Sequence, residues 1–419
     1  MNQSNDAIQE KLLHVLSGKS EEDPFSVFAE VRQEGAVMPI PNPMGGGDRQ
    51  AWVVTHMDEA MQVLKNHHRF TVDPSSIDSN RHIRDHIAST VDSSAPQTFF
   101  TGKSMLFVDE PDHRRLRKLV SKAFTPRYME SLRPRVQEIA DELLDQVQAK
   151  GEMDLVKDYA YPLPINVISE MLGVPQSDRA ELQSWSSAIS NGLGYGRQDP
   201  TAVANMQAFG EYTAQLVRDK RKSPEDDLIS QLIAIEEEGD RLSEEELISM
   251  ITLLIFAGHE TTSNLIATGT MMLLDNPEQL DKVKADLNLV PGAVEELLRF
   301  NGPSTTTGPR FATEDIELGG QPIKKGDMIL VMVKAANRDE NKFTEPEDLE
   351  IIRKVDRHLA FGQGIHMCLG APLARIEGDV AFTTLLKRMP NLRLGIPRKD
   401  VTWHFALSSQ GLGSLPLSF

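Results

Sequence analysis

The sequence predicts a single large, mainly helical domain with small β-sheets, and three observations carry that expectation. One is an apolar run of about thirty residues, entered through a Ser-x-x-Glu signature at Ser243 and Glu246. A second is that strand-like runs are short, punctuated by turn residues, and gathered near residues 51–55 and 309–333. The third is that no Pro/Gly/Ser linker, internal repeat or low-complexity tract divides the 419 residues.

In chain order, residues 1–20 are polar with scattered Leu and Val and read as a flexible terminus with a short amphipathic helix. They lack the basic start and apolar centre of a secretion signal. Ala51–Thr55, after the glycines 45–47, reads as a short strand. Residues 73–105 are rich in Ser, Asp, Pro and Thr and read as a long irregular loop, a type of segment that is usually functional or mobile. Pro111 opens a helix to about Phe124, because proline suits a first helical turn. Helices dominate from there to about residue 300. The run after Ser243 continues to Asp275, and Pro277 starts the next helix. A helix of about thirty residues spans roughly 45 Å and has to cross the middle of the molecule. Val290 to Phe300 is a further helix, ended by Asn301-Gly302-Pro303. Residues 316–318 and 329–333 read as strands, 337–360 as irregular and charged chain, and Leu369 to about Arg388 as a last long helix.

Composition narrows the function. The chain is 40% hydrophobic and 25% charged, enough to bury a core that encloses a cofactor and a ligand. No run of about eighteen apolar residues is present, so no membrane span is expected. One cysteine cannot form an internal disulfide, and a cytoplasmic setting is expected. Sixty-two acidic against 44 basic residues give a net charge of -18, which argues against nucleic acid and anionic lipid as partners. Against that background the cluster Arg114, Arg115, Lys118 and Lys122 stands out.

The most informative segment is Phe361-Gly-Gln-Gly-Ile-His-Met-Cys-Leu-Gly370. Its glycines permit a sharp turn and a close approach to a flat ligand. Cys368 then lies at the start of a helix, where the helix dipole, like a metal, favours the thiolate form that ligates iron. A lone thiol is most often inert packing. A glycine-rich turn is an odd setting for that role.

This segment resembles the haem-binding loop of the cytochrome P-450 superfamily, Phe-x-x-Gly-x-x-x-Cys-x-Gly, matched by Phe361, Gly364, Cys368 and Gly370. The resemblance implies a cytochrome P-450 fold with haem b (iron protoporphyrin IX) between the long central helix and the cysteine-ligand helix. It makes Cys368 the axial ligand of the metal, with Phe361 packed on it, Gly362 in the cofactor loop and His366 at a haem propionate. A thiolate ligand pushes electron density onto iron and favours O–O cleavage. Four further motifs follow the family's order. Ala257-Gly-His-Glu-Thr-Thr262 resembles the oxygen-binding motif. There Ala257 would border the cofactor, and Thr261 and Glu260 would be catalytic, Thr261 as a hydrogen-bond donor and Glu260 in proton delivery. On their own, Gly and Thr in a long helix can equally bend it or admit a neighbouring helix. His113-x-x-x-Arg117 shares one helix face and, with Arg310, matches the family's propionate contacts. Glu296-x-x-Arg299 would join Arg353 in a structural triad.

Nearly the whole chain, from about Asp23 onward, takes part in the resemblance, which leans toward soluble bacterial, Bacillus-type members. It implies a haem-thiolate monooxygenase that hydroxylates a small apolar substrate, a steroid, terpenoid, polyketide or fatty acid. Dioxygen would be the oxidant, with electrons from a separate ferredoxin or flavodoxin and its NAD(P)H-dependent reductase. The basic cluster would dock that acidic partner. A peroxide-driven haem-thiolate enzyme and a non-catalytic haem sensor are the alternatives, and the Glu260-Thr261 pair argues against both. Candidate substrate contacts are Phe99, Phe100 and Met105, then Leu253 and Leu254 with Ala257, then Thr305, Thr306 and Thr307, and the turn Phe405-Ala406-Leu407. Ordinary core packing is an equal reading of each. Arg81, Arg84 or Lys103 would be the cations available to a carboxylate substrate.

Overall fold

The computed structural model describes residues 3–16, 24–43, 49–78, 96–194, 197–237, 242–406 and 408–419. Helices form most of it, with small sheets at the margins. The centre is the helix Glu244–Asp275, whose 32 residues span about 48 Å at the usual rise. Its start is a complete capping box: the Glu246 amide donates to Ser243 Oγ at 3.1 Å, and the Ser243 amide to Glu246 Oε2 at 3.0 Å. Such a helix, apolar on all sides, is stable only when enclosed. It packs against Pro162–Leu172, Pro200–Lys222, Val290–Asn301 and Ala371–Arg388. Gly258 serves that packing: a Cβ there would lie 2.9 Å from Ile168 Cγ1. The helix runs unbroken through residues 257–262, so this glycine admits a neighbouring helix.

A five-stranded sheet forms beside the helices. Val37–Ile40 pairs antiparallel with Ala51–Val54, Val37 opposite Val54. Met328–Val331 then runs parallel to Ala51–Val54, with Met328 opposite Ala51. Arg310–Ala312 and Phe70–Thr71 complete the order, both antiparallel to their neighbours. The strand expected over 329–333 ends at Val331. Met332 donates the last ladder bond to the Val54 carbonyl at 2.8 Å, and Val333–Ala336 then turns into one helical turn. The hairpin Trp403–Ala406 with Ser409–Leu412 packs on the long helix.

Other boundaries moved by a few residues. The helix after Pro111 is Asp112–Ser121, shorter than expected, and the last helix is Ala371–Arg388. In the expected loop 73–105, Asp73 caps a short turn at Pro74–Ser76, and residues 96–105 carry Phe99 and Phe100 into the main core. Residues 79–95 lie outside the described residues. No described helix is long and apolar enough to cross a membrane.

Candidate active site

The cysteine loop is folded by its own backbone. The Cys368 amide donates to the Phe361 carbonyl at 2.8 Å, and the Met367 amide to Gly364 at 3.1 Å. Gly364 has φ +76°, and a Cβ on it would lie 2.1 Å from the Leu64 carbonyl oxygen. The glycine is therefore required by the end of the helix Met57–Lys65; the sequence reading assigned the close approach to a flat ligand. Gly362 (φ +65°) makes the other left-handed turn. The Phe361 ring lies under the Arg375 guanidinium, 4.6 Å from its centroid.

The Cys368 side chain keeps accessible surface although protein packs around it at depth. Burial pushes its thiol pKa up. The amides of Gly370 and Ala371 and the charges of Arg117 and Arg375 pull it down. These donors and cations are the means by which a thiolate would be held once a metal had displaced the proton.

Around it stand two cations and two imidazoles. His113 and His366 lie with ring centroids 4.3 Å apart, and the buried Nε2 of each lacks a hydrogen-bond partner. Asp109 is 3.9 Å from His366, too far for a hydrogen bond. Burial pushes the His113 pKa down to about 4 and also lowers that of His366. Arg117 is half-buried, and desolvation lowers its pKa, offset by the Cys368 charge alone. Arg310 donates to the carbonyls of Gly308 and Pro309 at 3.1 and 3.2 Å, and its charge acts on His366. Among the described residues, buried ring nitrogens without partners and a half-buried cation without an anion call for a ligand carrying negative charge. The two propionates of a haem above a cysteine fit that donor set.

The long helix supplies the second wall. From Glu246 to Leu273 every residue is buried except Phe256, Ala257, Gly258, Glu260 and Thr261. One turn at mid-helix is therefore accessible in an otherwise enclosed element. Thr261 Oγ1 donates to the Ala257 carbonyl at 3.1 Å. Glu260 keeps some accessible surface at a depth where burial raises its pKa. Its Oε1 accepts from Ser190 Oγ at 2.7 Å and from Ser409 Oγ at 3.3 Å.

Beneath these lies a charged scaffold. Arg299 donates to Glu296 through Nε (2.7 Å) and Nη2 (2.8 Å), and Arg353 Nε reaches the same carboxylate at 3.1 Å. The remaining Arg299 donors hold the carbonyls of Asn337, Pro346 and Asp348, tying the irregular chain to the helix Val290–Asn301. A second network has no counterpart in the sequence reading. Glu295 accepts from Arg375 at 2.6 and 2.9 Å and meets His358 Nε2 at 3.0 Å. Burial works to raise the Glu295 pKa, but these bonds outweigh it and hold it at about 2. Glu377, fully buried, was also missed: neither carboxyl oxygen has a hydrogen-bond partner, and burial raises its pKa to about 8.

Of the substrate-contact candidates, Phe99, Phe100, Met105, Leu253 and Leu254 are packed in the main core. Phe99 and Phe100 pack on Phe256 of the long helix with ring centroids 5.2 and 5.4 Å away, the first tilted and the second edge-to-face. Thr305 and Thr306 are buried, and neither hydroxyl has a partner. Thr307 bonds backbone to Val331. Phe405 and Ala406 lie in the strand Trp403–Ala406, and Leu407 falls outside the described residues, as do Arg81 and Arg84. Lys103 is paired with Asp112 at 2.6 Å, so it is not the free anchor the sequence suggested. The basic cluster is also partly neutralised. Arg114 pairs with Glu110, and Arg115 bonds Glu246 Oε2 at 3.1 Å and Asp112 at 3.3 Å, whereas Lys118 and Lys122 are exposed.

Comparison with known proteins agrees with this geometry. The family model described as Cytochrome P450 matches residues 13–190 and 197–391. This chain belongs to the cytochrome P450 family. It is 41% identical over 411 residues to the polyketide biosynthesis cytochrome P450 PksS of Bacillus subtilis, covering 98% of this chain and 99% of that one. It is 39% identical to the 6-deoxyerythronolide B hydroxylase of Saccharopolyspora erythraea, with 94% and 96% covered. A solved myxobacterial cytochrome P450, CYP267B1 in complex with myristic acid, superposes with a TM-score of 0.86 at 38% identity, covering 97% and 98%. The protein is thus a P450 monooxygenase whose cofactor is haem b. Ser190, Ser409, Glu295, Arg375 and Glu377 of this P450 escaped the sequence reading. The first four pair with residues distant in the chain, and none of the five carries a spacing of its own.

Proposed function

We propose that this P450 hydroxylates a bulky, neutral, apolar small molecule of the polyketide class, using dioxygen and electrons from a separate ferredoxin or flavodoxin with its NAD(P)H-dependent reductase. Haem b held through a thiolate supplies reductive activation of dioxygen and transfer of one oxygen atom. In this reading Cys368 ligates the iron. His113, Arg117, Arg310 and His366 bind the propionates, which neutralise the half-buried Arg117. Thr261 offers a hydroxyl at the accessible turn, and Glu260 holds a proton beside it.

The observation that carries the reading is that accessible turn, bordered by an aromatic cluster. Phe256 and Ala257 give it an apolar face with Phe99 and Phe100 behind. Thr305 and Thr306 supply buried hydroxyls that a ligand carbonyl or hydroxyl would satisfy. Lys103, the one candidate carboxylate anchor among the described residues, already has Asp112 as its counter-ion. The names of the similar PksS and 6-deoxyerythronolide B hydroxylase support the same substrate class.

The test is a binding titration followed by the haem spin-state change, then turnover under labelled dioxygen. Macrolactones and linear polyketides are expected to bind at lower concentration than free fatty acids and to yield singly oxygenated, labelled product. A response to fatty acids alone would overturn the substrate class. Thr261→Ala is expected to divert electrons from product to peroxide; an unchanged product yield in that variant would favour the peroxide-driven alternative.

A further inference from the structure

Glu260 has an unusual set of partners for a buried acid. Among the described residues no Lys, Arg or His forms an ion pair with it. Its Oε1 instead takes two hydroxyls from two separate elements. Ser190 is near the end of the helix Arg179–Gly192, and Ser409 opens the strand Ser409–Leu412. Two titratable groups nearby are held neutral by burial. His259 gives its Nδ1–H to the Ile255 carbonyl at 2.6 Å, and burial pushes its pKa down to about 4. Tyr161, against the His259 ring at 5.2 Å, has its phenol pKa raised by burial.

The choice of serine matters physically. A guanidinium only donates, so it would bind the carboxylate form and oppose protonation. A hydroxyl both donates and accepts. It can hold a carboxylate or a carboxylic acid with one small rotation, so the anchor survives a change of protonation. The second anchor is also tied to the substrate side. Ser409 bridges to Ser304, and the Thr305 amide donates to the Ser408 carbonyl at 2.8 Å.

We infer that Ser190 and Ser409 are positioning residues for oxygen activation, a two-hydroxyl cradle that fixes the Glu260 carboxyl beside Thr261 in either protonation state. The inference rests on the proposed proton-delivery role of Glu260. The cradle moves no electrons; it sets where the Glu260 carboxyl stands when a proton leaves it and when one returns from water. Losing Ser190, the shorter contact, has the larger effect.

The experiment is infrared difference spectroscopy on the purified haem-containing protein across pH. The Glu260 carboxyl band is assigned by its loss in Glu260→Gln. In Ser190→Ala the band is expected to shift, and its titration to move to higher pH, because a hydrogen bond that favoured the ionised form is gone. Ser409→Ala is expected to give a smaller change in the same sense, and Ser190→Thr to return toward the parent. In turnover, Ser190→Ala is expected to lower product per electron pair severalfold, with Ser190→Thr restoring it. An unmoved band and titration in both alanine variants would overturn the inference. The carbon monoxide spectrum of each variant is recorded in parallel. The infrared reading of the cradle does not depend on it, so failure of the haem-thiolate assignment and failure of the cradle are told apart.

Discussion

At the scale of single residues, burial decides which side chains in this P450 carry a proton. Glu377 is the clearest case, a carboxyl with no hydrogen-bond partner and its pKa raised to about 8. In an unfolded chain it titrates near 4.5. Between those values the folded state keeps a proton that the unfolded state releases, so the contribution to stability is full below about 4.5 and is lost as pH rises through about 8. The total is on the order of a few kcal/mol. Glu377→Gln is therefore expected to flatten the fall of the thermal midpoint between pH 5 and 8. Parallel curves for the parent and the variant would contradict this. At the same scale, Gly364 is required for a reason that the motif does not show. The motif marks it, and both its left-handed φ and the Leu64 carbonyl against its missing Cβ disfavour any other residue.

At the scale of elements, legibility followed locality. The capping box, the central helix and the face shared by His113 and Arg117 depend on residues within one or two turns, and periodicity exposes such patterns. The Glu296–Arg299 pair is of the same kind. The end of the strand at Val331 was not legible, because Val333-Lys-Ala-Ala336 reads either way until its tertiary setting is fixed. Nor was the pairing of Arg115 with Glu246, 131 residues further along the chain. The Glu296 network carries its own test. Glu296 is wholly buried and Arg299 nearly so. Arg299→Leu would take two charged hydrogen bonds from the buried Glu296 carboxylate, leaving it Arg353 and the Glu350 amide, and would remove the side-chain donor from the carbonyls of Asn337 and Pro346, a loss of about 3–5 kcal/mol. A sharply lower denaturation midpoint and poor haem retention are expected. A midpoint within a degree of the parent would show that the network does not hold this face together.

At the scale of the whole molecule, a net charge of -18 makes any basic surface a place where an acidic protein can approach. Arg114 and Arg115 are paired with carboxylates, and Lys118 and Lys122 are exposed on the same stretch of chain. Lys118→Glu with Lys122→Glu is expected to slow reduction by a ferredoxin about tenfold at low salt, with the difference shrinking as salt rises. Equal rates at low salt would move the docking surface elsewhere. The helical architecture could be read from the chain because long amphipathic and apolar runs leave few other ways to bury themselves. The substrate's shape could not, because the proposed contacts, from Phe99 to Thr306, lie far apart in the chain.

All of this turns on whether Cys368 ligates iron as a thiolate. The direct measurement is the Soret band of the reduced protein under carbon monoxide, with Cys368→Ala alongside. A strongly red-shifted band in the parent, absent from the variant, is the result this account requires. A haem spectrum in the parent without that shift, or the same shift in both proteins, would contradict it.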